Sequence, residues 1–234
     1  MYKSKVVPEA VDPGLIINTW TAVEDLGQCI YVYRNIYTPE MDIINRLEKV
    51  IFSDNKYKWQ DALVGYSRKV PGYRDCVDFK YRKEDLHAVD PDTEELKQIW
   101  QDCYDRMYQA TQDYCYKNQI IDLQYWEVMN FVKYGEGQHF QEHVDHGFSY
   151  NSTVSLVGYL NDNFDGGELY FRLQGLNLKP QAGDLYIFPS SFTHPHRAMP
   201  VSNGTKYSIV TMLDYNSKFH SSRFYSADEW ETIQ

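Results

Sequence analysis

Five of the seven histidines lie between positions 139 and 196: His139, His143, His146, His194 and His196. His143 is followed two residues later by Asp145. In an extended segment, residues two apart project to the same side. An imidazole and a carboxylate on one side, joined by a histidine returning from a distant strand, make a facial triad that leaves three adjacent metal positions open. A chelating keto acid fills two of these and dioxygen the third. Such chemistry also needs a buried cation for the far carboxylate of the keto acid. Lys206 enters a strand ten residues after His196, on the same face as Ser208 and Val210. The His-x-Asp pair alone is weak evidence, since 7 histidines and 33 acids in 234 residues give about one such pair by chance.

Two kinds of element must position these groups, because the hydrophobic period changes near residue 120. Before it, Thr38-Pro39 reads as an N-cap followed by proline at the first helical position. Ile43, Ile44, Leu47, Val50 and Ile51 then mark one helical face. A longer helix is expected to open at Asp92, with Glu95 completing a capping box. Its inward stripe is Leu96, Ile99, Trp100, Cys103, Met107 and Ala110. Residues 60–91, rich in charge, tyrosine and proline, read as a long loop excursion. After residue 120 the period is that of strands. A continuous alternation runs from Tyr125 to Tyr134, and further strands are expected over 153–160, 167–173, 183–188 and 205–213. Tyr159 shares a face with Val157 and Ser155. Helices first and short strands after imply an α+β, mainly β domain: a jelly roll braced by N-terminal helices.

A length of 234 residues fits one domain, with helical and loop support in 1–122, a core in 123–214 and an extension in 215–234. A net charge of −10 argues against nucleic acid and anionic membranes as partners. Twenty-one tyrosines suit β-rich walls and polar clefts. The N-terminus lacks an apolar signal segment and no run suffices to span a bilayer, which points to the cytoplasm. Cys29, Cys76, Cys103 and Cys115 form no CxxC pair and read as free thiols. On that view the glycosylation sequons at Asn151 and Asn203 are chance matches.

The stretch Tyr134-Gly-Glu-Gly-Gln-His-Phe-Gln-Glu-His143-Val-Asp145 resembles the iron-binding segment of the prolyl 4-hydroxylase-like Fe(II)/2-oxoglutarate dioxygenases. Also similar are Asp165-Gly-Gly-Glu-Leu, the run from Pro180 to Pro189, and His196-Arg-Ala-Met-Pro-Val-Ser-Asn-Gly-Thr-Lys206-Tyr-Ser. The resemblance covers roughly residues 123–214 and implies a double-stranded β-helix. It makes His143, Asp145 and His196 the iron ligands and Lys206 the partner of the 2-oxoglutarate distal carboxylate. Tyr134, Tyr159 and Ser208 become further donors to that carboxylate. The implied reaction consumes dioxygen and 2-oxoglutarate, with ascorbate as an optional reductant. It releases succinate and carbon dioxide and hydroxylates an unactivated C–H bond.

Within the resemblance, His194 competes with His196 for the third ligand position, and Pro200 four residues after His196 favours the latter. His139 and His146 are expected as neighbours that support the ligands. Met212 stands where relatives carry an aromatic residue, so substrate stays open between a peptidyl proline and a free amino acid or small metabolite. The excursion at 60–91 would cover a peptide, with Arg74 and Asp75 as contacts. Two other classes remain as rivals: a non-catalytic jelly-roll binding protein, which loss of a ligand or of Lys206 would signal, and a cupin-like metalloenzyme using zinc or no keto acid, which would not need Lys206-Tyr-Ser.

Overall fold

The computed structural model describes residues 20–53, 56–64, 69–147, 151–217 and 220. In chain order the elements are β1 (Ala22–Asp25), β2 (Tyr31–Arg34), α1 (Ile43–Ser53), β3 (Gln60–Asp61), β4 (Arg74–Asp75), β5 (Val77–Tyr81), α2 (Pro91–Asn118), β6 (Tyr125–Trp126), β7 (Met129–Tyr134) and β8 (His139–His143). There follow β9 (Val154–Tyr159), β10 (Phe164–Gly166), β11 (Leu169–Phe171), β12 (Leu176–Leu178), β13 (Leu185–Pro189), β14 (His196–Ala198), β15 (Val201–Gly204) and β16 (Lys206–Asp214). Among the described residues the major sheet runs β1-β2-β13-β9-β16-β7-β5-β3, with β6 also on β16. A second sheet runs β12-β11-β14-β8-β4, and β10 pairs with β15. All these pairings are antiparallel, as a mainly β jelly roll requires.

Period-two alternation explains how the major sheet serves two compartments. Phe131 of β7, Leu156 of β9 and Ile209 of β16 face one way, into a core with Ile43, Leu47 and Val50 of α1 and Leu96, Ile99, Cys103 and Met107 of α2. Burying each of the large apolar side chains contributes about 1.5–3 kcal/mol of transfer free energy, which holds the helices against this face of the sheet. The alternate residues Val132, Tyr134, Val157, Tyr159, Lys206, Ser208 and Val210 face the second sheet and line a cavity. Glycines set the close approach beside it. A Cβ on Gly166 would meet the Pro200 carbonyl at 2.3 Å, and Gly167 sits at φ +67° against the Lys206 stem.

Several local expectations need correction. Thr38-Pro39 opens only a 3₁₀ turn over Pro39–Met41, which Asp42 ends at φ 48°, so α1 starts afresh at Ile43. The long helix begins at Pro91, because Asp90 is its cap and accepts a hydrogen bond from the Thr93 amide at 2.8 Å. Glu95 instead accepts one from Arg46 Nε at 2.5 Å, joining the two helices. Trp100 is half-buried and stacks on Tyr104 at 4.6 Å. The segment 60–91 is not a loop excursion: it contributes β3 and β5 to the major sheet and β4 to the second. The alternation from Tyr125 to Tyr134 is two strands, interrupted where the Glu127 amide donates to the Met212 carbonyl at 2.9 Å. All four cysteines are free. No described helix is long and apolar enough to cross a membrane.

Candidate active site

Antiparallel pairing brings the metal-ligating side chains together. His143 ends β8, His196 opens β14, and the two are direct cross-strand partners. Asp145 follows two residues beyond His143, past the end of the strand. The candidate ligand atoms of His143, Asp145 and His196 all lie within 4.8 Å of one another. His143 Nε2 is 3.5 Å from Asp145 Oδ1, and His196 Nε2 is 3.6 Å from Oδ2. Each imidazole is oriented from behind: Nδ1–H of His143 donates to the Gln141 carbonyl at 2.7 Å, and that of His196 to the His194 carbonyl at 3.1 Å. A carbonyl can only accept, so both Nε2 lone pairs point into the cluster.

The electrostatics suit ligation of a cation. Burial pushes the His196 imidazolium pKa down to about 4, so the ring is neutral at pH 7. Burial opposes ionisation of Asp145, but His196, His143 and the Ser155 hydroxyl outweigh it and hold the carboxyl well below the usual range. Neutral imidazoles and an ionised carboxylate are the states that bind metal.

A string of buried hydroxyls extends from the carboxylate. Ser155 Oγ donates to Asp145 Oδ2 at 2.6 Å, Ser190 Oγ lies 2.7 Å from Ser155, and Ser152 Oγ donates to Ser190 at 2.6 Å. This occupies one carboxylate oxygen and fixes the plane of the other. Ser155→Ala is expected to weaken divalent-metal affinity about 10–100-fold, the cost typical of losing an outer partner of a ligand, in an anaerobic titration of the apoprotein. The inward face carrying Ser155 was visible from strand alternation; Ser190, just past Pro189, carried no such signal.

Lys206 lies in the same cavity of about 330 Å³ as the triad. Its ammonium donates to the Gly167 carbonyl at 3.0 Å and forms no ion pair with any described carboxylate. It stands over the Tyr134 ring at 4.3 Å and the Tyr159 ring at 5.8 Å. Burial raises both phenols well above their usual range, so they remain hydrogen-bond donors. Ser208 is buried opposite Tyr159 in the register and lines the cavity as well. A buried cation with no counter-anion among the described residues, in one cavity with Tyr134, Tyr159 and Ser208, fits the distal carboxylate of a keto acid, and two histidines with one carboxylate fit Fe(II).

The remaining histidines lie elsewhere. His194 Nε2–H donates to the Gln28 carbonyl at 2.8 Å, so only its backbone serves His196. His139 bonds the Gly137 and Gly72 carbonyls, and His146 bonds Ser152; contrary to expectation, neither side chain has a hydrogen bond to a triad member among the described residues. Arg74 lines the cavity, but Asp75 does not: it accepts from the Gly72 amide at 3.0 Å in a turn. Met212 lines the cavity.

Residues 129–213 match the 2OG-Fe(II) oxygenase superfamily. Human procollagen-lysine,2-oxoglutarate 5-dioxygenase 2 is 32% identical over 68 residues, 29% of this chain and 9% of the human protein. A PKHD-type hydroxylase of Colwellia psychrerythraea is 32% identical over 87 residues, 33% of this chain and 38% of that protein. The chain thus matches well under half the length of these relatives. Among solved structures, a Trichoplax adhaerens prolyl hydroxylase in complex with a hypoxia inducible factor peptide superposes with a TM-score of 0.65 at 14% identity, over 84% of this chain and 88% of that one. A viral collagen prolyl hydroxylase of Paramecium Bursaria Chlorella virus-1, in a 2OG complex, gives 0.55 at 16% identity, over 80% and 96%. At these identities the likeness is one of fold.

Proposed function

We propose that this chain, a 2OG-Fe(II) oxygenase with a prolyl 4-hydroxylase-like fold, holds Fe(II) on His143, Asp145 and His196, seats 2-oxoglutarate against Lys206, and hydroxylates a peptidyl proline. The observation that carries this reading is the buried ammonium of Lys206, without an ion-pair partner among the described residues, in one cavity with the His-Asp-His cluster. A peptide substrate is supported by the relatives: the Trichoplax structure holds a peptide, and the viral enzyme is named for collagen.

Iron and keto acid, when bound, supply oxidative decarboxylation to succinate and carbon dioxide coupled to hydroxylation by dioxygen. The protein's residues do the positioning. Asp145 supplies the one formal negative charge of the triad, and its Ser155 bond on Oδ2 leaves Oδ1 beside His143 Nε2. Lys206, Tyr134, Tyr159 and Ser208 would hold the far carboxylate of the cosubstrate and so orient it in the cavity. Val157, Leu169, Val210 and Met212 make the wall apolar and exclude water while the substrate C–H bond is presented.

The test is product mass spectrometry with Fe(II), 2-oxoglutarate and ascorbate against proline-containing peptides, lysine-containing peptides and free amino acids. A proline peptide is expected to gain one oxygen atom with an equal yield of succinate. Oxidation of free amino acids alone would replace the peptide reading with the small-molecule one.

A further inference from the structure

The cavity holds further cations: Arg74 and Lys80 line it with Lys206, and Cys76 and Tyr134 neighbour both Arg74 and Lys206. β4 and β5 place Arg74, Asp78 and Lys80 beside Asn130 of β7. Asp78 is 2% exposed, and its Oδ2 has Lys80 Nζ and Asn130 Nδ2 at 3.4 Å and Arg74 Nη2 at 3.5 Å. Three donors share one oxygen, all at long range. Arg74 and Lys80 both line the cavity. The other acid there is neutralised: Glu127 binds Arg82 at 3.3 Å, Tyr125 at 2.8 Å and His220 at 3.2 Å.

Arg74 uses its donors sparingly. Nη1 donates to the Leu63 carbonyl at 2.6 Å, Nη2 has a 3.5 Å pairing with Asp78, the Cys76 thiol is a further side-chain neighbour, and Nε is buried with no hydrogen-bond partner among the described residues. The guanidinium lies 4.8 Å from the centroid of Phe140, whose ring stacks on His143 at 3.6 Å. One aromatic ring therefore separates this cation from a metal-binding imidazole. A buried guanidinium with idle donors is costly, and its planar fork is shaped for a carboxylate.

Resting on the reading above, in which Lys206 takes the cosubstrate, we propose that the primary substrate carries a carboxylate bound by Arg74, with Lys80 adding charge. The carboxylate is anchored at one side of Phe140 and the reacting C–H bond lies at the other, against the triad. It comes either from the α-carboxylate of a free amino acid or from an acidic side chain next to the target residue of a peptide.

The experiment uses unreactive Mn(II)-loaded protein saturated with 2-oxoglutarate and isothermal titration with two matched pairs. These are L-proline against L-prolinamide, and blocked Ala-Pro-Glu against blocked Ala-Pro-Gln. The acid of one pair is expected to bind about tenfold or more tightly than its amide, and that pair identifies the source. Arg74→Gln should bring the ratio close to one, whereas Arg74→Lys should keep part of it. No acid preference in the wild-type protein, a comparison that needs no variant, overturns the proposal, as does a preference that survives Arg74→Gln. Failure of 2-oxoglutarate itself to bind would overturn the underlying reading, and the proposal with it.

Discussion

Lys206→Met is expected to raise the dissociation constant for 2-oxoglutarate by a factor of about a hundred or more, because stripping one partner from a buried ion pair costs about 3–5 kcal/mol. Methionine keeps the stem that packs on Gly167 and Tyr134, so the loss reads the charge rather than a cavity. The same residue predicts a pH dependence. Burial, helped by the nearby Lys179 cation, pushes the Lys206 ammonium down to about 7, against the weaker opposing effects of Cys76 and Glu168. Below that pH the ammonium is already charged and binding requires no proton. Above it, each bound dianion must draw a proton onto Lys206, so the dissociation constant rises by up to about tenfold per pH unit. Titrations from about pH 6 to 9 should show this slope in the wild-type protein and none in Lys206→Met. A flat wild-type profile would remove Lys206 from the role.

The second large effect concerns the triad. His143→Ala, Asp145→Ala and His196→Ala should each lower Fe(II) affinity by more than the roughly hundredfold that losing an outer partner costs. Turnover of 2-oxoglutarate should fall below detection. His194→Ala is the informative contrast. It keeps the backbone carbonyl that orients His196 and removes only the side-chain bond to Gln28, so metal affinity should be retained. Retention in His196→Ala with loss in His194→Ala would move the third ligand by two residues. Equilibrium titration of the anaerobic apoproteins distinguishes these outcomes.

How much of this was legible in the sequence follows from how local each signal is. The helical stripe from Leu96 to Ala110 and the strand face of Lys206, Ser208 and Val210 repeat over several residues, and the structure has both. The three-residue strands β10, β11, β12 and β14 are too short for a period, so only β11 fell within an expected strand. The segment 60–91 misled because composition reports solvent exposure averaged over the run. Val77–Tyr81 alternates apolar and charged residues, the strand period, and it pairs residue for residue with β7. Asp90 outcompeted Asp92 as the cap because Pro91 has no amide to satisfy and fits the first helical position. Within the site, the spacing of His143 and Asp145 was readable. The cross-strand meeting of His143 with His196 was not, since register between strands 53 positions apart leaves no local trace. The same holds for the stack of Arg74 and Phe140 on His143, which joins three strand positions from two distant segments.

In the proposed function, one cavity binds Fe(II) through His143, Asp145 and His196 and 2-oxoglutarate through Lys206. The most direct test is an anaerobic titration of the Fe(II)-loaded protein with 2-oxoglutarate, followed by visible absorption. A weak metal-to-ligand charge-transfer band reports a keto acid chelated to the metal. The band is expected to appear and saturate at one equivalent in the wild-type protein. It should be absent in Asp145→Ala and need far more keto acid in Lys206→Met. A wild-type protein that binds Fe(II) yet gives no band, or an Asp145→Ala protein that keeps it, would contradict the account.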